Sequence, residues 1–561
     1  MKLMKGDIEI SEEAVVRPIT EIAGALGIGP EDIEMYGKHI AKVPLDVLSR
    51  FDDRKDGKLI LVTAVTPTPA GEGKTVTTIG LIQALGRLGK KVVGALREPS
   101  VGPTFGVKGG ATGGGYSQVY PMWSIDLHFT GDIHAVSSAH NLLSAVLENE
   151  LTRDNHLGID PSKVVLKKAM DMNCRELRNV IVGIGGGKLS GGVTRESGFL
   201  ITSASEISAI LALSKDYKDL RERLERMVVA YTYTGGLVTV KDLGCVGAMM
   251  VLLKDALKPN LVQTLEGQPV FIHGFPFANI AHGNNSIIAT RYAMRLGDYA
   301  VTEAGFAADL GGEKFLDVVC RQSGISPDCV VLVASIRALM VHGGAVLDDP
   351  STLTGDTLKK GLSNLDKHIE NIRSYGVPVV VSINHFSFDD PAHMKLLRDH
   401  CDERDVRCVQ SDVFMEGGKG GEELAKAVID ITDNIRKDFK FLYDDKATLK
   451  EKIHAVATKI YGADGVIYSG KAEKTLKDLE AKGFGCLPVC IAKTQYSISD
   501  MPELKGAPKG WRLNVREVTV SAGAGFVVPI CGEIMLMPGL SKTPAAMRMD
   551  LTEDGRIRGL K

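Results

Sequence analysis

The nine cysteines of this chain include no C-x-x-C pair, an absence that removes the commonest structural zinc and redox patterns. The thiols are expected to be reduced and buried. No run of about 18 or more apolar residues occurs, and the opening MKLMKGDIEISEEAVV has no apolar stretch of the kind a secretory leader needs. A cytoplasmic protein without a membrane span is expected. Charge of one sign is not in excess either. Lys and Arg number 67 against 69 Asp and Glu, so no global field favours nucleic acid or an anionic membrane, and small molecules or copies of itself are the expected partners. A G-x-S-x-G nucleophile elbow and a G-x-G-x-x-G fingerprint are both missing, which weighs against serine-hydrolase and dinucleotide-binding readings. Heptad arrays, low-complexity tracts and internal repeats are also lacking.

What is present is a chain of 561 residues with 62 glycines, 44% hydrophobic and 24% charged, the composition of an α/β enzyme. Its length exceeds what a single core serves, so roughly two to four domains are expected. The rest is organised around residues 58–100, KLILVTAVTPTPAGEGKTVTTIGLIQALGRLGKKVVGALREPS. Apolar residues dominate 59–65, a Thr/Pro/Gly loop fills 66–73, and Ile79, Ile82, Leu85 and Leu88 then recur at helical spacing, which reads as strand, loop, helix and strand. The loop, Thr68-Pro69-Ala70-Gly71-Glu72-Gly73 followed by Lys74-Thr75, has the chemistry of a phosphate cradle. Glycines let backbone N–H groups approach an anion, the helix start adds a positive dipole end, Lys74 can reach a terminal phosphate, and the Thr75 hydroxyl can ligate magnesium. Thr68 stands where the usual G-x-x-x-x-G-K-[ST] pattern has its first glycine. The second strand, 91–96, delivers Arg97 and Glu98 to its C-terminal end, the side on which ligands bind in a parallel sheet, so both are candidates for acting on phosphoryl oxygens.

Further along, the glycine density of 101–119 forbids regular structure, and Lys108 within it is a candidate anion contact. His128, His134 and His140 are six residues apart, which places none of them one turn from another; core or capping roles are expected rather than a shared metal. A buried strand is expected at 180–184, followed by a glycine-rich turn carrying Lys188. Pro276, Asn279, His282, Asn284 and Asn285 follow a strand at 269–273 as a polar pocket wall; His273 and His282 have no third zinc ligand at a recognisable spacing. Another strand, 299–302, ends in Glu303 and a glycine-bearing acidic turn. From Leu358 an amphipathic helix runs through Leu362, Leu365, Ile369 and Ile372, and a boundary is expected at 350–365. Strands at 377–383 and near Val406 end in NHFSFDD and SDVFMEGGKGGEEL, two aromatic-bearing loops that can form a slot for a flat ligand. Helices are expected around 448–461 and 472–482, with strands around 487–492 and 512–520 and a loop at 521–526. The strand–loop–helix unit alone leaves open a P-loop switch or partitioning-type ATPase, and another carboxylate-activating synthetase of the dethiobiotin-synthetase kind.

The segments TPTPAGEGKT (66–75), REPSVGPTFGVKGGATGGGY (97–116), DLHFTGDIHAVSSAHNLL (126–143), KPNLVQTLEG (258–267), PFANIAHG (276–283), TEAGFAADLG (302–311), IYGADGV (460–466), AKTQYS (492–497) and SAGAGF (521–526) together resemble the formate–tetrahydrofolate ligases. The resemblance implies an ATP-dependent ligase that joins formate to the bridging secondary amine of tetrahydrofolate through formyl phosphate. It also implies magnesium, a monovalent cation (potassium or ammonium), and a cytoplasmic homotetramer. The implied fold is α/β, a P-loop-type, mainly parallel sheet flanked by helices, with two smaller α/β domains: 1–360 nucleotide-binding core, 361–470 folate-side domain and 471–561 small C-terminal domain. Lys74, Arg97 and Glu98 are then the catalytic candidates, and Phe386 and Phe414 the folate-stacking pair. The chain departs from the family pattern at Thr112 and Asn284, at Ser335 and Met340 in VASIRALM, at Ser387 after Phe386, and at Phe414, where tryptophan is usual.

Overall fold

The computed structural model describes residues 5–560 apart from 70, 107–111, 186–190, 276 and 278, so the readings of Ala70, Lys108, Lys188 and Pro276 lie outside the described residues. Apolar runs such as 330–333 can be buried on both faces only inside a sheet covered by helices on each side, the arrangement parallel sheets adopt. The chain forms it. We label the main strands β1 (Lys58–Ala64), β2 (Val92–Leu96), β3 (Asn260–Thr264), β4 (Pro269–Ile272), β5 (Tyr299–Glu303), β6 (Cys329–Ala334), β7 (Val379–Asn384) and β8 (Arg407–Ser411). Their order is β3-β4-β2-β5-β1-β6-β7-β8. Every pairing from β4 to β8 is parallel, and β3 alone runs against its neighbour.

Alternate β1 side chains serve different cores. Ile60, Val62 and Ala64 pack beneath helix α1 (Lys74–Arg87) with Ile79, Ile82 and Leu85, while Leu59 and Leu61 face the larger opposite cluster. The chain winds to one side of β1 through β2 and β4, and to the other from β6 onward. Ligands of open α/β sheets collect at the carboxyl ends of strands near such a reversal. Strands β7 and β8 lie beyond residue 360 and pair in this same sheet.

Several local expectations need correction. Residues Val180–Val182 form a half-exposed hairpin strand against Arg195–Ser197, outside the main sheet, because the short apolar run has no covering layer. The expected strand at 487–492 is reduced to two isolated bridges, Val489 with Val527 and Ala492 with Ile530. The one expected at 512–520 divides into Leu513–Val515 and Glu517–Ser521, which pair in different sheets. Near the N-terminus, Pro18 separates the helices Asp7–Glu13 and Ile19–Leu26, since proline is tolerated at a helix start and not within it. Of the three spaced histidines only His140 is core: its ring nitrogens meet Ser205 Oγ and the Lys167 carbonyl, and burial pulls its pKa down to about 4. No helix among the described residues is long and apolar enough to cross a membrane.

Two helices on the far side of β1 matter for the site. Helix α2 (Ile336–His342) follows β6, and α3 (Gly355–Ser374) crosses it so closely that backbones meet. A methyl group on Gly361 would stand 1.7 Å from the Leu339 carbonyl oxygen, and one on Gly343 would stand 1.7 Å from that of Thr357. This approach lets both helices reach Thr66, the second residue after the β1 strand end. Asn364 Oδ1 accepts from the Thr66 N–H at 3.2 Å, Asn364 Nδ2 donates to Thr66 Oγ1 at 3.0 Å, His368 Nε2 lies 3.0 Å from that hydroxyl, and His342 Nε2 meets the Thr66 carbonyl at 2.8 Å. Substituting Gly361→Ala should therefore separate α2 from α3, lowering stability by about 1–3 kcal/mol, the usual cost of overpacking. Denaturant titration measures it; a variant as stable as the parent would mean the helix crossing has slack.

Candidate active site

The loop after β1 is shaped by its own side chains. Glu72 is buried and its Oε1 accepts from the Thr68 N–H at 2.6 Å and the Thr68 hydroxyl at 3.1 Å, closing the turn around the exposed Pro69. Gly71 and Gly73 take φ of 76° and 75°, a region L side chains rarely enter, and Gly73 is the residue from which α1 starts. A Cβ on Gly73 would also strike Asn384 Nδ2, which donates to the Glu72 carbonyl at 3.1 Å from the end of β7. The turn thus aims the first N–H groups of α1, Lys74 and Thr75 toward the carboxyl ends of the strands.

Those groups meet Glu303. It ends β5, the strand between β1 and β2, and is fully buried. Its Oε2 accepts from the Thr75 hydroxyl at 2.9 Å and lies 3.4 Å from Lys74 Nζ. Burial opposes the Glu303 charge, but Lys74, Arg97 and the two hydrogen bonds outweigh it and hold its carboxyl below the usual range. Burial is also the main influence on Lys74, and with Arg97 it pulls the ammonium pKa down against the raising influence of Glu303. Lys74 meets this carboxylate directly, and Arg97, from the next strand end, acts on it through its charge.

Glu98 does not join them. It is buried, and its neighbours in charge are Asp132, Lys42 and Asp171 rather than Lys74. Lys42 Nζ lies 2.8 Å from Asp132 Oδ1, and Asp171 accepts from the Ser100 hydroxyl at 2.6 Å and the Val101 N–H at 3.0 Å. Burial first, then Asp132 and Asp171 against Lys42, drive the Glu98 carboxyl well above the usual carboxylate range. Of the two histidines at the pocket wall, His273 is engaged by Ser286 Oγ and the Ala256 carbonyl. His282 has no partner for either ring nitrogen among the described residues. Burial foremost, with Arg223 and Arg97, pulls its pKa down to about 3.

The aromatic loops stand at the ends of β7 and β8, joined by His385 Nδ1 and Asp412 Oδ1 at 2.5 Å. Phe386 is half-buried and stacks on Phe388, with centroids 5.2 Å apart and planes 9° off parallel, and the Arg337 guanidinium covers Phe388 at 3.8 Å. Phe414 is seated elsewhere: its carbonyl accepts from the Tyr116 N–H at 2.9 Å and its ring lies against Gly114 and Gly115. Among the described residues the ring that stacks on Phe386 is Phe388.

A model of the family described as formate–tetrahydrofolate ligase matches residues 5–561. The chain is also 54% identical over 558 residues to the formate–tetrahydrofolate ligase of Symbiobacterium thermophilum, an alignment spanning 99% of this chain and 100% of that protein. The chain belongs to the formate–tetrahydrofolate ligase family. Among the candidates for its site, Lys74, Thr75 and Arg97 come together, Thr68 and Glu72 brace the loop, and Glu98 stands apart.

Sequence reasoning gave no role to Glu303, Asn384 or the Thr66 contacts. Glu303 was visible as an acidic strand end, but its importance depends on β5 lying beside β1, which only the strand order supplies. Replacing Glu303 with Gln keeps the side-chain shape and removes the main influence that raises the Lys74 pKa. The Lys74 ammonium should then lose its proton at lower pH. The alkaline limb of the kcat/KM profile for ATP should shift toward acid, with kcat/KM falling by about tenfold or more, the scale of one lost charged hydrogen bond. An unmoved alkaline limb would separate Glu303 from Lys74.

Proposed function

We propose the following course for the reaction of this family, the ATP-dependent ligation of formate to tetrahydrofolate, giving 10-formyltetrahydrofolate, ADP and phosphate. The convergence of Lys74, Thr75 and Arg97 on buried Glu303 carries the reading. The P-loop-type turn 68–75 cradles the ATP phosphates with its backbone N–H groups and the start of α1. Formate is a carboxylate at neutral pH and needs no general base to attack the γ-phosphorus. What the step requires is that two anions be held together, and cations do that. Lys74 draws charge from the terminal phosphate, and Arg97 stabilises the phosphoryl oxygens and then the formyl phosphate. The neutral bridging amine of tetrahydrofolate attacks the formyl carbon; the C–O bond to phosphate breaks, and the departing phosphate takes the amine proton.

Magnesium fits the donors at this site. Thr75 Oγ1 lies beside Glu303 Oε2, and Glu303 Oε1 is buried without a partner among the described residues. Thr75 would hold the ion, with Glu303 orienting it, and its contribution would be neutralisation of phosphate charge. The monovalent cation remains part of the reading through the family resemblance. Among the described residues no group of three or more His, Cys, Asp or Glu is arranged to hold a metal. In the division of labour proposed, strands before residue 360 carry the nucleotide groups, 361–470 carries the folate-facing loops with Phe386 and Phe414, and 471–561 forms a small C-terminal unit. Cytoplasmic homotetramers complete the reading.

Spectrophotometric detection of 10-formyltetrahydrofolate formed from ATP, formate and tetrahydrofolate tests the whole. Lys74→Ala should lose about 3–4 kcal/mol of transition-state stabilisation, and near-normal turnover in a folded variant would sink the phosphate-loop role. Arg97→Ser should keep nucleotide affinity within a few-fold while net turnover collapses; calorimetry showing ATP and ADP binding lost together would make Arg97 a ground-state nucleotide ligand instead. Phe414→Ala should raise the tetrahydrofolate KM by about tenfold and Phe414→Trp lower it several-fold, as expected for an aromatic contact worth about 0.5–1.5 kcal/mol beyond its burial. A KM change confined to ATP would make Phe414 a packing residue.

A further inference from the structure

Arg337 is an unusual arginine in this molecule. It is the second residue of α2, three residues past the end of β6, so it stands on the same carboxyl edge as Asn384 and Phe386 at the end of β7, the strand paired with β6. Its guanidinium lies flat over Phe388, 3.8 Å from the ring centroid, and Phe388 stacks nearly parallel on Phe386. Arg337, Phe388 and Phe386 form a three-layer stack. Phe388 is 55% exposed, and Arg337 makes no hydrogen bond or ion pair with any described residue. The neighbouring Asp389 is engaged otherwise, accepting the Phe386 N–H at 2.9 Å.

Such a stack does two things. A ring on a loop has several rotamers open to it, and layering it between neighbours fixes the plane against which a flat ligand docks. The guanidinium, held by its face, keeps its N–H edge free, and that edge is the part that matches a carboxylate in two parallel hydrogen bonds. An edge with five donors and no protein acceptor, beside an aromatic platform, suits a ligand that carries a carboxylate a short distance from a flat ring system. We infer that Arg337 binds a carboxylate of the glutamyl tail of the folate substrate, with Phe388 holding both Arg337 and the stacking face of Phe386 in place. This rests on the reading above that the folate ring system docks at Phe386. It adds a basis for discriminating substrates by their tails, one benzoyl group away from the reacting amine.

The test compares tetrahydrofolate with a tetrahydropteroyl amide, which keeps the ring system and the bridging amine but has no glutamate. In Arg337→Gln the tetrahydrofolate KM should rise about tenfold, the scale of one charge-assisted hydrogen bond, while the KM for the amide, kcat with either substrate and the ATP and formate constants stay within twofold. Arg337→Lys, which keeps the charge but cannot stack or bind a carboxylate through two hydrogen bonds, should fall between. Phe388→Ala should raise KM for both substrates, because it also frees Phe386. Equal KM increases for tetrahydrofolate and the amide in Arg337→Gln, or none for either, would overturn the assignment of Arg337 to the tail. Phe386→Ala separates the two levels of inference: a tetrahydrofolate KM unchanged there removes the folate slot itself, whereas an increase there with no selective effect of Arg337→Gln removes only the tail contact.

Discussion

A carboxylate with no access to water is tolerable only when its charge is met, and the site turns on one such group. Glu303 is fully buried at the end of β5, where Thr75 and Lys74 approach from one neighbouring strand and the influence of Arg97 from the other. Removing both cations would leave that charge uncompensated in the interior. The arrangement depends on strand order: β5 enters the sheet between β1 and β2 although more than two hundred residues separate it from both. An acid at that one strand end can hold the helix start after β1 by hydrogen bonds while sharing its field with the arginine after β2. Two cations that would otherwise repel each other are thereby stored together, ready for an anionic ligand.

What could be read from the residues alone followed the range of the forces involved. The 58–100 unit was legible because strand, turn and helix are set by neighbours in sequence, with a continuous apolar run in β1, positive-φ glycines in the loop and helical spacing in α1. The strand ends bearing Arg97, Phe386 and Phe414 were legible for the same reason. Glu98 was grouped with Arg97 by adjacency, yet successive residues leaving a strand point to opposite sides, and its carboxyl lies with Asp132 and Asp171. Glu303, and the Asn364, His368 and His342 contacts to Thr66, were not legible, since no local pattern announces a partner 230 or 300 residues away. Secondary structure failed at 180–182, where the apolar run has no layer to cover it, and at 487–492, where a buried apolar run makes only isolated bridges.

The surroundings of Phe386 differ in kind from those of Lys74. Around Lys74 the chain supplies buried charge in fixed geometry. Around Phe386 it supplies half-exposed faces on loops, ordered by stacking and by the His385–Asp412 contact. Phe414 takes its order from the glycine backbone at 114–115, which brings the 97–116 segment up to the same region as β8. Each region therefore draws on residues from both halves of the chain, and the single continuous sheet is what keeps them in register.

In mechanical terms α3 is a tie-rod. One side of it grips Thr66 at the root of the loop after β1. Its other contacts run to the C-terminal part of the chain, where Asn364 Nδ2 also donates to the Gly506 carbonyl, Asn371 to that of Ile460 and Lys367 to that of Lys459. A load on the C-terminal region is thus transmitted along a stiff element to the loop root, with backbone contact at Gly343 and Gly361 leaving little play. Residues 459, 460 and 506 are thereby tied through α3 to the loop after β1. A protein cut short before residue 506 would keep every residue of that loop and still lose part of its rigidity.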